Sequence, residues 1–201
     1  LGMHGMSLII PSTVTSSAAV VQLVACSGNT ISEFKGSLAS VRSVNLSGNQ
    51  LSPEALASAV ATLPNVSSFV ASGCNVAAFP LSGLSQLTNL QIPRNEVESL
   101  TNVQATSAKI LDASNNKITS LEGLDQTSSN LEKVNLSGNQ LAHFANVNFS
   151  LPSVKTLDIS GNQVASINSL AKLHALFPKY DFFSSLTMMS CKMRIVSQEL
   201  F

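Results

Sequence analysis

Catalysis needs nucleophiles, bases or metal ligands, and this chain of 201 residues carries few of them. Histidine occurs at 4, 143 and 174, and cysteine at 26, 74 and 191. His143 stands beside Phe144, and His174 lies in LAKLHAL. Neither has a carboxylate or second histidine at ligand spacing, so both read as surface or structural side chains. Asp112 and Asp158 occupy equivalent places in a recurring pattern, but another copy of the pattern separates them. They are therefore not expected to share a proton in acid–base work. Gly-x-Ser-x-Gly, the Gly-Lys-Ser/Thr phosphate loop, Gly-x-Gly-x-x-Gly and His-Glu-x-x-His are all absent. The sequence predicts no catalytic, cofactor-binding or metal-ligating residue, and an enzyme is not expected.

Composition narrows the remaining classes. Eleven basic and eleven acidic residues cancel, and charged residues make up 11%, against roughly 25% in an average soluble domain. Polarity comes instead from 33 Ser, 11 Thr and 17 Asn. A nucleic-acid partner would need clustered Lys and Arg, which are missing. The most apolar window, Ala18 to Cys26, spans nine residues and is broken by Gln22, far short of the roughly 18 a membrane span requires. A hydrophobic content of 44% is enough for a core. Three cysteines cannot build a dense disulfide framework. The chain begins at Leu1, and no basic segment precedes its first apolar stretch. That reads as a fragment or processed product rather than a signal peptide.

What organises the chain is repetition. VNLSGNQL at 44–51 returns at 134–141, and again as LDISGNQV at 157–164. Aligning on apolar-x-x-apolar-x-apolar-x-x-Asn-x-apolar yields seven copies, starting near 21, 41, 66, 87, 108, 131 and 154. Their polar column is Asn29, Asn49, Cys74, Asn95, Asn116, Asn139 and Asn162, with steps of 20, 25, 21, 21, 23 and 23 residues. This motif and period resemble those of leucine-rich-repeat proteins, whose column also alternates Asn with Cys. The resemblance implies an α/β repeat solenoid, a right-handed horseshoe. A short-stranded parallel sheet would line its concave face, with short helices, 3₁₀ turns or loops on the convex face. Residues 1–20 are expected to be a degenerate N-terminal repeat or cap, 21–176 the repeats, and 177–201 a C-terminal cap or tail.

The pattern itself supports that architecture. The apolar-x-apolar pair has period two, so both side chains leave the same side of a short strand. One strand cannot bury that face alone; stacking the next copy beside it does. An inward Asn can donate to and accept from loop backbone groups that would otherwise be buried without partners. Cys74 can do so only weakly, so the third copy is expected to be the softest. In the longest copy, Ser52 reads as an N-cap and Pro53 as the first helical residue, with Leu56, Val60 and Leu63 on one face. Glu96–Gln104 and Glu122–Gln126 leave room for single turns only.

Seven strands about 4.8 Å apart would give a binding face roughly 29 Å long, enough for a partner contact of about 800 Å². Its columns hold no aromatic residue. Arg94, Lys109, Asp112, Lys133, Lys155 and Asp158 form its charged grouping, read either as ordinary solvation or as a polar docking patch. The resemblance implies non-catalytic recognition of a protein or peptide, as in the ectodomains of receptor-like kinases. The alternative is an intracellular scaffold or regulatory subunit of a phosphatase, kinase or cytoskeletal complex. Low charge and abundant Ser and Asn lean toward an extracellular or cell-surface setting; the lack of paired capping cysteines leans toward the cytoplasm. Sequons at Asn45, Asn65, Asn135 and Asn148 match chance expectation and decide nothing.

Overall fold

The computed structural model describes residues 6–9, 21–24, 30–35, 39–103, 105–124, 130–142, 144, 149–164 and 175–176. The readings made above for Cys26, Asn29, Cys191, the three histidines, the sequon at Asn148 and the segment 177–201 lie outside the described residues.

In chain order the elements are β1 (Met6–Ile9), β2 (Val21–Val24), β3 (Thr30–Lys35), β4 (Val41–Asn45), β5 (Gln50–Leu51) and α1 (Pro53–Thr62). β6 (Ser68–Val70), β7 (Asn89–Gln91), a 3₁₀ turn (Leu100–Asn102), β8 (Ile110–Asp112), β9 (Lys133–Asn135) and β10 (Thr156–Asp158) follow. One parallel sheet runs β10-β9-β8-β7-β6-β4-β2, so each copy of the motif adds one strand next to its predecessor. The register pairs equivalent residues: Val44 with Phe69, Leu90, Leu111, Val134 and Leu157 in turn. The fold is a leucine-rich-repeat solenoid.

The core is a stack of columns. Val44, Phe69, Leu90, Leu111, Val134 and Leu157 are buried, as are Leu46, Ala71, Ile92, Ala113, Leu136 and Ile159 two residues on. Burying a large aliphatic or aromatic side chain contributes about 1.5–3 kcal/mol. Most of that gain exists only when a neighbouring copy covers the column. Beyond the strands, backbone bonding continues: Ile92 N–H donates to Asp112 C=O at 2.8 Å, and Arg94 N–H to Ser114 C=O at 2.9 Å.

Inside the turns, Asn116 spans two copies. Its Nδ2 donates to the carbonyls of Ile92 and Ala113, each at 3.0 Å. Its Oδ1 accepts from Val97 N–H at 3.1 Å. Asn139 repeats this with Ala113, Leu136 and Ile118, and Asn162 with Leu136, Ile159 and Leu141. Asn95 donates to Ala71 and Ile92 and accepts from Cys74 and Val76. Cys74 is also buried, and its Sγ lies 3.3 Å from Leu46 C=O. It offers no amide oxygen, so Leu51 N–H turns to the Cys74 main-chain carbonyl at 3.4 Å.

The return segments are local. Ser52 Oγ accepts from Ala55 N–H at 3.1 Å and caps α1, and Pro53 opens the helix. The buried stripe is Ala55, Leu56 and Ala59, whereas Val60 is only half-buried. Small alanines bring the helix close to the core, Leu63 at its C-cap is fully buried, and Val60 packs both against the core and against the following return. A Cβ at Gly83 would fall 2.3 Å from Val60 Cγ1. A second parallel sheet, β1-β3-β5, is an addition to the expected outer face. β3 and β5 come directly after column positions 29 and 49, β1 precedes the first aligned copy, and α1 packs on β3.

Two substitutions test the rungs. Asn116→Ala leaves Val97 N–H unpaired inside the stack and takes one of two asparagine donors from each of the Ile92 and Ala113 carbonyls, and is expected to lower stability by about 1–3 kcal/mol in chemical denaturation. Cys74→Asn restores an acceptor for Leu51 N–H and is expected to raise the midpoint. Unchanged midpoints in both would remove the rungs from the stability account.

Candidate functional site

The residues on either side of each buried strand residue point away from the core and form the open face of the large sheet. One column reads Ser43, Ser68, Asn89, Ile110, Lys133, Thr156, and the other Asn45, Val70, Gln91, Asp112, Asn135, Asp158. The early half is knitted by neutral bonds. Asn89 Nδ2 donates to Ser68 Oγ at 3.1 Å, and Gln91 Nε2 donates to Asn89 Oδ1 at 3.2 Å. At the strand ends the polar side chains fold back on their own turns. Asp112 Oδ1 accepts from Ser114 N–H at 3.0 Å, and Asp158 Oδ1 from Ser160 N–H at 2.9 Å. Asn45 and Asn135 do the same with Ser47 and Ser137. Their amides cap strands whether or not either sequon is used.

The six charged residues singled out above occupy three surfaces. Lys133, Asp112 and Asp158 lie on the open face. The strand of Asn135 separates the two aspartates, so they stand roughly 10 Å apart. Arg94 is exposed at the turn that follows the strands. Its φ is +57°, in a column whose other members are Gly48, Gly73, Asn115, Gly138 and Gly161, all with positive φ. Asn tolerates this region; for Arg the left-handed conformation costs about 1–2 kcal/mol. Lys109 and Lys155 lie on the opposite rim, where the strands begin.

That rim carries a residue the sequence reading left out. Glu132 falls between Lys109 and Lys155 in successive copies, because Glu132 N–H donates to Lys109 C=O and Lys155 N–H to Glu132 C=O. Lys155 Nζ sits 2.6 Å from Glu132 Oε2. These three side chains, with Asn130, Pro152, Ser153 and Val154, line a groove of about 470 Å³. Lys155 holds the Glu132 carboxyl below the usual carboxylate range, first by its hydrogen bond and then by its charge; Lys109 and Lys133 add to the effect. At the other ends of the strands, Lys117 pairs with Glu96, which raises the lysine pKa. Only the spacing of adjacent copies could have revealed Glu132: residues 23 apart share a column.

Cys74 is a free thiol in the core, and burial pushes its pKa up, away from the reactive thiolate. Among the described residues no group of three or more His, Cys, Asp or Glu is placed to hold a metal ion. No helix among them is long and apolar enough to cross a membrane.

A profile described as leucine-rich repeat matches residues 37–58. An internalin from Listeria monocytogenes is 25% identical, with a TM-score of 0.49 over 77% of this chain and 53% of the internalin. The chain thus spans about half the length of that protein. The leucine-rich-repeat portion of FLRT2, solved in an octameric complex with latrophilin 3 and Unc5D, provides a second likeness. It has 17% identity and a TM-score of 0.38, covering 87% of this chain and 77% of that one. No curated protein matches the sequence. The repeated motif, the stacked parallel sheet it builds and the profile match over residues 37–58 agree on a leucine-rich-repeat fold.

The Glu132–Lys155 pair generates a titration prediction. A depressed carboxyl pKa contributes stability above the unfolded value and loses it as pH falls through the folded one. By NMR, Glu132 should titrate below an ordinary glutamate, and Lys155→Ala should return it upward. No change on that substitution would contradict the pairing.

Proposed function

We propose that the chain is a non-catalytic recognition module that binds a protein or peptide on the open face of its large sheet. In this reading 21–176 is the recognition unit, flanked by 1–20 as a degenerate repeat or cap and by 177–201 as a cap or tail. The observation that carries it is the face itself: an array of half-buried, mostly neutral hydrogen-bonding side chains, interrupted by Val70 and Ile110, on a backbone fixed by buried bonds. Neutral donors and acceptors give specificity without demanding a charged partner. Asp112, Lys133 and Asp158 are the candidate charged contacts on that face, with Arg94 at one rim and Lys109 and Lys155 at the other. Arg94 is retained at a strained position where glycine would relieve the backbone, which favours a role for its side chain.

The receptor-ectodomain setting draws on the low charge and the Ser- and Asn-rich surface. An intracellular scaffold is the second reading, favoured by the unpaired, buried Cys74 thiol. Endoglycosidase digestion of the native protein separates them: a mobility shift supports the first, and none supports the second.

A photoreactive amino acid at Gln91 or Asn135 should cross-link the native partner, whereas the same group at Ser82 or Gln86 on the outer return should not. Cross-linking from the outer positions alone would overturn the assignment of the face.

A further inference from the structure

The rim where the strands begin holds an arrangement that the open face does not. Lys109, Glu132 and Lys155 stack in successive copies along a groove of about 470 Å³, with Asn130 at one end and the Pro152–Ser153–Val154 wall beside Lys155. Lys133 stands one residue beyond Glu132, at the first position of β9. Lys109 and Lys155 therefore flank the single carboxylate of Glu132 in the groove, an excess of one positive charge in a chain whose formal net charge is zero. The groove also shows the chemistry it favours, because Lys155 already grips a carboxylate oxygen at 2.6 Å.

We propose that this groove binds an acidic, extended segment of a partner protein, whose carboxylates pair with Lys109 and Lys155 while Glu132 competes for the same cations. Glu132 thus acts as an internal stand-in for the ligand. A partner bearing two or more acidic residues displaces it by engaging both lysines at once. Pro152, exposed beside Lys155, supplies a surface for the segment's aliphatic carbons. Lys109 and Lys155 are exposed, so each contact is of modest strength and sensitive to salt. The site is distinct from the open face, and its failure leaves the face reading standing, since Gln91 and Asn135 are probed separately.

The test is an NMR titration of the isotopically labelled full chain with a capped hexaglutamate peptide at low ionic strength, alongside capped hexaglutamine and inorganic phosphate. Hexaglutamate is expected to shift the amides of Lys109, Glu132, Ser153 and Lys155. The Lys109→Ala, Lys155→Ala double variant should bind about fivefold more weakly, the scale of exposed ion pairs. Glu132→Gln should bind a few-fold more tightly, while Glu98→Gln and Lys117→Ala leave affinity unchanged. Shifts confined to other surfaces would overturn the proposal, as would equal binding of hexaglutamine or of phosphate. So would a Glu98→Gln effect matching that of Glu132→Gln.

Discussion

The structure depends on one kind of interaction, a buried asparagine amide that is satisfied on both sides by main chain from two adjacent copies. A tight turn placed inside a stack carries carbonyls and amides that neither a strand nor a helix can pair. Asn139 resolves this for its own turn through Leu136 C=O and for the preceding copy through Ala113 C=O and Ile118 N–H. Leaving such groups unpaired costs roughly 1–3 kcal/mol each, comparable with burying a leucine. The rung therefore fixes the turn, and the turn fixes which strand residues face inward. The hydrophobic columns follow from that choice.

A scaffold of this kind leaves its outward residues free to vary. Residues that flank the buried ones neither fill the core nor close the turns, apart from the Asn and Asp side chains that bond to their own serines. Recognition can be written there by substitution alone, without disturbing the stack. The exceptions are therefore informative. Arg94 sits where the backbone favours glycine, and Glu132 lies between two lysines from neighbouring copies.

Much of this was legible in the linear chain because the solenoid's physics is periodic. The Asn column from Asn49 onward, the parallel strands and the Ser52–Pro53 helix start all follow from residue type at fixed spacing. Other features depend on how neighbouring returns settle against each other. The Leu56–Val60–Leu63 stripe faces inward, with Val60 half-buried, and Ala55 and Ala59 widen it because the helix packs closely enough to favour small residues. The β1-β3-β5 sheet went unseen, since β3 and β5 lie past the aligned columns, β1 lies ahead of the first copy, and the three share no motif. The charged grouping looked like one patch in the sequence but divides among the face and both rims. Strand polarity, which sorts residues by where they stand along a strand, makes that division.

Amide hydrogen exchange read residue by residue tests the central claim most directly. Val97, Ile118 and Leu141 N–H groups donate to asparagine Oδ1 atoms and should be strongly protected, whereas Leu51 N–H, beside the Cys74 rung, should exchange far faster. Comparable protection at all four sites, or fast exchange at the three asparagine-bound amides, would contradict the account.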